Sequence, residues 1–397
     1  MMTSTDKEST DRSPHAVSRL HCIDALRGLV MVLMAIDHSR DFFGDLRIPT
    51  EDVATSSLAL FSTRWITHFC APVFSFLAGA SVFFVGRRKS KQEVSIFLMK
   101  RGLWLVFIEL TVVNFAWYFD PSFKTPGLFV IWALGISMIA LAGIIYLPRN
   151  YILVFSCVLI FGHNLLDSVH YDGSILWAIL NEYNSFDLGN GYDFETAYPL
   201  IPWVAVMSLG YYFGAFYNKS FDVNKRKRLF NITGISSVAL FIILRFTNIY
   251  GNLKPWTNYD TLSEDLISFF NPAKYPPSLT YLLMTLGVTF IFLANTEKLK
   301  GRLVEFFKTF GRVPFFYYIL HIYLIHVLAL FYAELSGFGW EVMILKNWMT
   351  ETPTLKGYGL GLGLVYFIWI SIVLLLYPLC KKFDLYKQNN KNKWWFS

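Results

Sequence analysis

RLHCIDALRGLVMVLMAIDHSRDFF, residues 19–43, is apolar enough to enter a bilayer, yet it carries Asp24, Arg27, Asp37, His38 and Asp41. At 100° per residue, Asp24, Arg27, His38 and Asp41 fall within about a third of a helix circumference. The opposite face is Leu, Val, Met and Ile. Charge turned toward lipid costs several kcal/mol, so the polar stripe must face protein or water. Arg27 and His38 are separated by about 16 Å of helical rise. The stripe therefore runs from the inner half of a membrane to its outer edge.

Composition agrees with a membrane setting. The 397 residues are 54% hydrophobic, 18% aromatic and only 16% charged, where a soluble domain carries about a quarter charged residues. This is an all-α polytopic membrane protein by composition. The net charge of +7 is distributed as membrane orientation requires and does not point to nucleic acid. Cys22, Cys70, Cys157 and Cys380 lie in or at the ends of apolar segments, with no CxxC or Cys/His spacing. Neither a disulfide framework nor a metal site is indicated. Residues 1–18 form a polar tail with no short apolar core and cleavage site, so no removable signal peptide is expected.

Ten segments have the length and apolarity to span: about 21–38, 65–86, 102–119, 126–147, 150–169, 199–217, 229–249, 278–294, 313–334 and 358–379. With both termini cytoplasmic, the inner segments hold 25 of the 35 Lys and Arg, including RRKSK (87–91), KRKR (225–228) and the basic tail 381–397. The outer loops hold eight basic against fifteen acidic residues, the positive-inside asymmetry. Outer loops 170–198 and 250–277 are long and rich in turn residues. EKLKGRLVEFFKTF (297–310) places Leu299, Leu303, Phe306 and Phe310 on one face, as a short helix on the cytoplasmic surface would. Gly210/Gly214 and Gly359/Gly363 have helix-packing spacing, and no inverted repeat is present.

Asp37 and His38 end the first span at the face where the second begins with RWITHFCAP, in which Arg64 and His68 share a side of the helix. Asp41, three residues after His38, can reach its ring. His38, His68, Asp37, Asp41 and Arg64 at one depth supply a general base, an orienting carboxylate and a cation for a developing oxyanion. A structural ion-pair network capping two helix ends is the alternative. Asp24 and Arg27 can neutralise each other, or Arg27 can meet an anion entering from the cytoplasm. His321 and His326 lie in the ninth span about 140° apart, so both cannot face one site equally well. Glu109, His163, Asp167 and Arg245 are further buried candidates. No Walker, GxGxxG, GxSxG or HExxH motif occurs.

The first span, THFCAPVFSFLAGAS (67–81), KYPPSLTYLLMTLG (274–287) and GRVPFFYYILHIYLIH (311–326) resemble bacterial relatives of the heparan-alpha-glucosaminide N-acetyltransferase catalytic domain. The resemblance covers about 19–380, which is taken as the transmembrane acyltransferase domain. It implies transfer of an acetyl group from cytosolic acetyl-CoA to a sugar amine or hydroxyl on the periplasmic side of the inner membrane. The partners it implies are acyl-CoA, a saccharide acceptor and the bilayer, with no metal; a homo-oligomer is left open. In the lysosomal enzyme the active histidine follows the first span. Residues 39–63 hold no histidine here, which makes His38 the nearest equivalent. Arg27, with Asp24 beside it, would meet the donor phosphates, and His321 would either line the donor path or make a helix-to-helix hydrogen bond. The runner-up reading is a transporter or flippase for a glycan or lipid-linked substrate, against which the missing repeats count.

Charge asymmetry makes a direct prediction. Reporter fusions after residues 90, 222 and 390 should read cytoplasmic, and fusions near 185 and 262 should read from the opposite side. A cytoplasmic signal at 185 or 262 would overturn the order of spans.

Overall fold

In the computed structural model, which describes residues 14–45 and 49–390, the polar first span is one helix, α1 (Pro14–Phe43). A second rod follows in two pieces, α2 (Leu58–Thr67) and α3 (Cys70–Gly86). The break between them has a local cause. Pro72 has no N–H to offer the carbonyl of His68, and the Tyr281 hydroxyl donates to that carbonyl at 2.7 Å. Next comes α4 (Lys91–Ile108), started by a capping box between Ser90 and Glu93. It passes through a π turn, Glu109–Val113, into α5 (Asn114–Tyr118). Asn114 holds this turn by donating to the Glu109 and Gly127 carbonyls at 2.6 and 3.0 Å.

The chain continues through α6 (Val130–Ile144), α7 (Arg149–Gly162), α8 (Ile175–Asn181), α9 (Leu200–Gly214), α10 (Val223–Thr247) and α11 (Leu262–Phe269). It ends with α12 (Leu279–Asn295), α13 (Arg302–Arg312), α14 (Pro314–Leu335) and α15 (Leu362–Asn389). Each of the ten segments read as a span is helical over most of its length. Among the described residues, six helices are long and apolar enough to cross a membrane, and α6 and α12 are shorter apolar helices. The six do not include α1, whose charges need protein around them. Residues 14–18 and 381–389, read as tails, continue α1 and α15; residues 1–13 and 391–397 lie outside the described residues.

The segment 170–198 is more ordered than its turn-rich composition suggests. It holds α8 and a hairpin of β2 (Asn184–Asp187) and β3 (Asp193–Thr196), with Phe186 opposite Phe194. β1 (Gly127–Leu128) joins β3 in parallel, giving the order β1-β3-β2. The loop 250–277 is held from below by Arg245, which donates to the carbonyls of Phe269, Ser268 and Lys254 at 2.8, 2.6 and 3.1 Å.

α1 packs on α2, α3, α12, α13, α14 and α15. Its crossing with α13 is a backbone contact. A Cβ on Gly28 would sit 1.7 Å from the Phe307 carbonyl oxygen, and one on Gly311 would sit 1.8 Å from that of Asp24. α13 is thus a partner of α1 as well as a surface helix. Phe306 stacks on Tyr377 and Phe310 is fully buried, while Leu299 and Leu303 remain exposed. Gly210 and Gly214 do serve close packing, against Phe76 and Ala80 of α3. Gly359 does not: it lies in the turn before α15 with φ +125°, against the backbone of Gly44.

Gly28→Ala should destabilise the detergent-solubilised protein by about 1–3 kcal/mol or more, because the clash is with backbone that cannot rotate away. Gly143→Ala, with open space around it, should leave the thermal midpoint near that of wild type. Equal midpoints for the two variants would refute the α1–α13 contact.

Candidate functional site

A cavity of about 950 Å³ lies at the C-terminal end of α1. Its walls come from α1, α2, the start of α3, α5, β3, α14 and residues 345–365. Toward the middle of α1 the lining is apolar, with Met34, Cys70, Ala71 and Phe74. Farther along it is aromatic and charged, with Trp117, Tyr198, Tyr275, Tyr318 and Trp348 beside Asp37, Arg40, Asp41, Arg64, Glu195 and Lys274.

The charged wall is organised by Asp37. Arg40, one turn along α1, lies 2.6 Å from Asp37 Oδ1 and 2.8 Å from Asp41 Oδ1 through Nη2. Lys274 Nζ approaches Asp37 Oδ2 at 3.3 Å. A carboxylate taken out of water is tolerated when it is paired; here Arg40 supplies an ion pair to Oδ1 and Lys274 a hydrogen bond to Oδ2. Farther up the wall, Arg64 reaches Glu51 Oε1 at 2.5 Å and Asn271 Oδ1 at 3.2 Å. On β3, Glu195 accepts from Trp348 Nε1 at 2.7 Å, and burial pushes its carboxyl up.

His38 is the one histidine lining the cavity among the described residues. Its Nδ1 is 2.8 Å from Nε2 of His321, with the rings nearly parallel. His321 Nδ1 is 2.9 Å from the carbonyl oxygen of Tyr317. Trp117 meets the His38 ring edge-on at 4.8 Å between centroids.

Several expectations are corrected by these contacts. Asp41 does not orient His38, because its carboxylate is held by Arg40. His321 is not on the cavity wall; of its two expected roles it makes the helix-to-helix hydrogen bond, standing fully buried behind His38. His68 is buried and absent from the cavity wall, its ring nitrogens without a hydrogen-bond partner among the described residues. The helix break at Pro72 leaves its ring against Tyr281, at 5.5 Å between centroids. His38, Asp37, Asp41 and Arg64 do share one cavity. Arg27 and Asp24 lie at the other end of α1 and do not line it. Arg27 donates to Ser81 Oγ at 2.8 Å and to the Gly311 carbonyl at 3.2 Å, and lies 3.4 Å from Asp24.

The remaining buried candidates have structural partners. Glu109 Oε2 accepts the Trp132 backbone N–H at 2.9 Å, capping α6. His163 bridges the Ile160 and Pro277 carbonyls, and Asn164 donates to Asp167. His326 bridges the carbonyls of Ala116 and Met343. Arg40, Lys274, Glu195 and Trp348 are site residues that sequence reasoning passed over. Arg40 had a signal, since it follows Asp37 by three residues and adjoins Asp41. Lys274 opens the KYPP motif but had no sequence link to Asp37. Among the described residues no group of three or more His, Cys, Asp or Glu could hold a metal ion.

This arrangement, a histidine at the head of a charged and aromatic cavity inside a helical membrane protein, coincides with a family assignment. Residues 19–247 match the heparan-alpha-glucosaminide N-acetyltransferase catalytic family. The chain belongs to that family. Comparison with curated proteins finds no match. The family is one of membrane acetyltransferases, and its matched stretch carries His38, Arg40, Asp37 and Glu195. Lys274, His321 and Trp348 come from the chain beyond it and complete the site.

Asp37→Asn keeps the shape of the side chain but removes the carboxylate that Arg40 and Lys274 share. Breaking a buried pair in this way costs about 3–5 kcal/mol, read as a lower thermal midpoint in detergent. Adding Lys274→Met should recover part of that loss. No recovery would mean that Asp37 and Lys274 are not coupled.

Proposed function

We propose that this protein transfers an acetyl group from acetyl-CoA to a sugar amine or hydroxyl in the cavity at the C-terminal end of α1, with His38 as its base. The observation that carries this reading is the position of His38, the only histidine on the cavity wall among the described residues, in a chain of the acetyltransferase family. Ten crossings with cytoplasmic termini would place the cavity on the periplasmic side of a bacterial inner membrane, where the acceptor would enter.

The two ends of α1 suit the two substrates. At the N-terminal end, Arg27, Arg101 and Lys387 lie within electrostatic reach of one another, and Arg312 stands 3.9 Å from Asp24 and 3.3 Å from Asp384. Such a gathering of cations suits the donor's phosphates. At the other end, tyrosine and tryptophan rings with carboxylates (Tyr183, Trp348, Glu195, Glu351) line the cavity and suit a saccharide, whose C–H faces stack on rings while its hydroxyls donate. His38 takes the proton from the acceptor amine or hydroxyl as that atom attacks the thioester carbonyl. Arg40, whose Nη1 has no hydrogen-bond partner among the described residues, and Lys274 offer positive charge to the oxyanion that develops.

Incubation of the purified protein with labelled acetyl-CoA and a glucosamine acceptor tests the reading; absence of both transfer and thioester hydrolysis would overturn it. His38→Ala should lower turnover on the order of 100-fold or more, the scale of a lost acid–base group, with donor affinity retained. His68→Ala should stay within a few-fold of wild type. If His68→Ala abolishes transfer and His38→Ala does not, the base is on the second rod.

A further inference from the structure

Proton positions in the histidine pair follow from the one partner whose role is not in doubt. A backbone carbonyl can only accept, so His321 Nδ1, 2.9 Å from the Tyr317 oxygen, carries its hydrogen. A neutral imidazole has one N–H, which leaves the lone pair of His321 on Nε2. His38 Nδ1, 2.8 Å away, must then donate to it. The His38 lone pair is thereby placed on Nε2.

We infer that His321 is the positioning residue of the transfer reaction: it holds His38 in the Nδ1–H form and takes up the proton that the reaction releases. The inference rests on the acetyl-transfer reading for its chemistry, while the hydrogen-bond chain itself does not. No carboxylate competes for the position, because Asp37 and Asp41 are both bound to Arg40. The pair is kept dry, with His321 0% and His38 8% exposed. Trp117 and Tyr318 stand edge-on to His38, and Tyr317 stacks on His321.

The proton balance closes. His38 Nε2 accepts a proton from the acceptor amine or hydroxyl as the new bond to the acetyl carbon forms. The imidazolium so made passes its Nδ1 proton to His321 Nε2. His321 is then the cation, donating from Nδ1 to the Tyr317 carbonyl and from Nε2 to His38. His38 is left neutral with a hydrogen on Nε2. When the bond from the acetyl carbon to sulfur breaks, the departing thiolate takes that hydrogen, His38 recovers its Nδ1 proton from His321, and both rings return to their starting forms. One proton has moved from acceptor to thiol, and the positive charge has spent the intermediate stage one ring away from the cavity.

Two measurements test this. In wild-type protein labelled with 15N-histidine, the His38 signals, identified by their loss in His38→Ala, should show a protonated Nδ1 and an unprotonated Nε2. An Nε2–H form would overturn the inference whether or not transfer is observed. In the transfer assay, His321→Leu should lower kcat at least about 10-fold, part of the 10²–10⁴ that a positioned acid–base group supplies, with KM for acetyl-CoA within two-fold of wild type. His321→Gln, whose amide oxygen can accept from His38 Nδ1 but cannot take its proton, should restore the Nδ1–H form of His38 and only a minor part of the lost kcat; full recovery of kcat would overturn proton uptake by His321. A His321→Leu enzyme with kcat within two-fold of wild type would overturn the relay. If that variant does not fold, the wild-type protonation pattern decides. If wild type transfers nothing, the acetyl-transfer reading falls while the spectrum still decides the pair.

Discussion

Asp37 sits between Arg40 and Lys274 at the end of an apolar helix, and much of the surrounding structure follows from the need to keep that carboxylate paired. The Coulombic attraction of the buried group for two cations brings the loop before α12 onto the end of α1. That ties the family-matched half of the chain to the part beyond it. Removing either cation would leave charge in a poorly solvated place, a cost of several kcal/mol. The same logic recurs at the other end of α1, where Arg27 is shared among Asp24, Ser81 of α3 and the Gly311 carbonyl. α1 is therefore fixed at both ends by polar contacts that lipid could not supply, and in between by the backbone contact of Gly28 with α13.

This anchoring has a chemical consequence at His38. Since the carboxylates of α1 are committed to Arg40, the histidine is oriented by another histidine, on α14. A neutral partner holds a tautomer as firmly as a carboxylate does when its own second nitrogen is tied to a carbonyl. It differs in leaving the resting pair without net charge, which suits a pair with so little exposure. The cavity itself is graded: apolar toward the middle of α1, then aromatic, then charged. A thioester arm and a sugar would each find a matching stretch of it.

The boundary between what was readable in the chain and what was not can be drawn residue by residue. Periodicity and apolar length located the helices, because those depend on neighbours one to four positions away. The same local rules put Asp37, His38, Arg64 and Asp41 at one depth, and these four do line one cavity. They also suggested His68, which shares a helix face with Arg64. There the local rule failed, because Pro72 breaks the rod and Tyr281, more than two hundred residues away, takes the freed carbonyl. Asp41 failed for a nearer reason: the i,i+3 spacing brought it within reach of His38, but the charge on adjacent Arg40 is the stronger attraction.

The sequence by itself determined that this is a helical membrane protein, that its first helix carries a polar stripe, and that His38 stands at that helix's end. Those conclusions rest on composition, hydropathy and helical spacing, all of them short-range. Only the tertiary structure decided the partners: His321 behind His38, Lys274 beside Asp37, Trp348 on Glu195, Gly311 against Asp24. Each joins positions separated by long stretches of chain. Their pairing is set by how the helices pack, and packing depends on shapes and buried charges that no local spacing encodes.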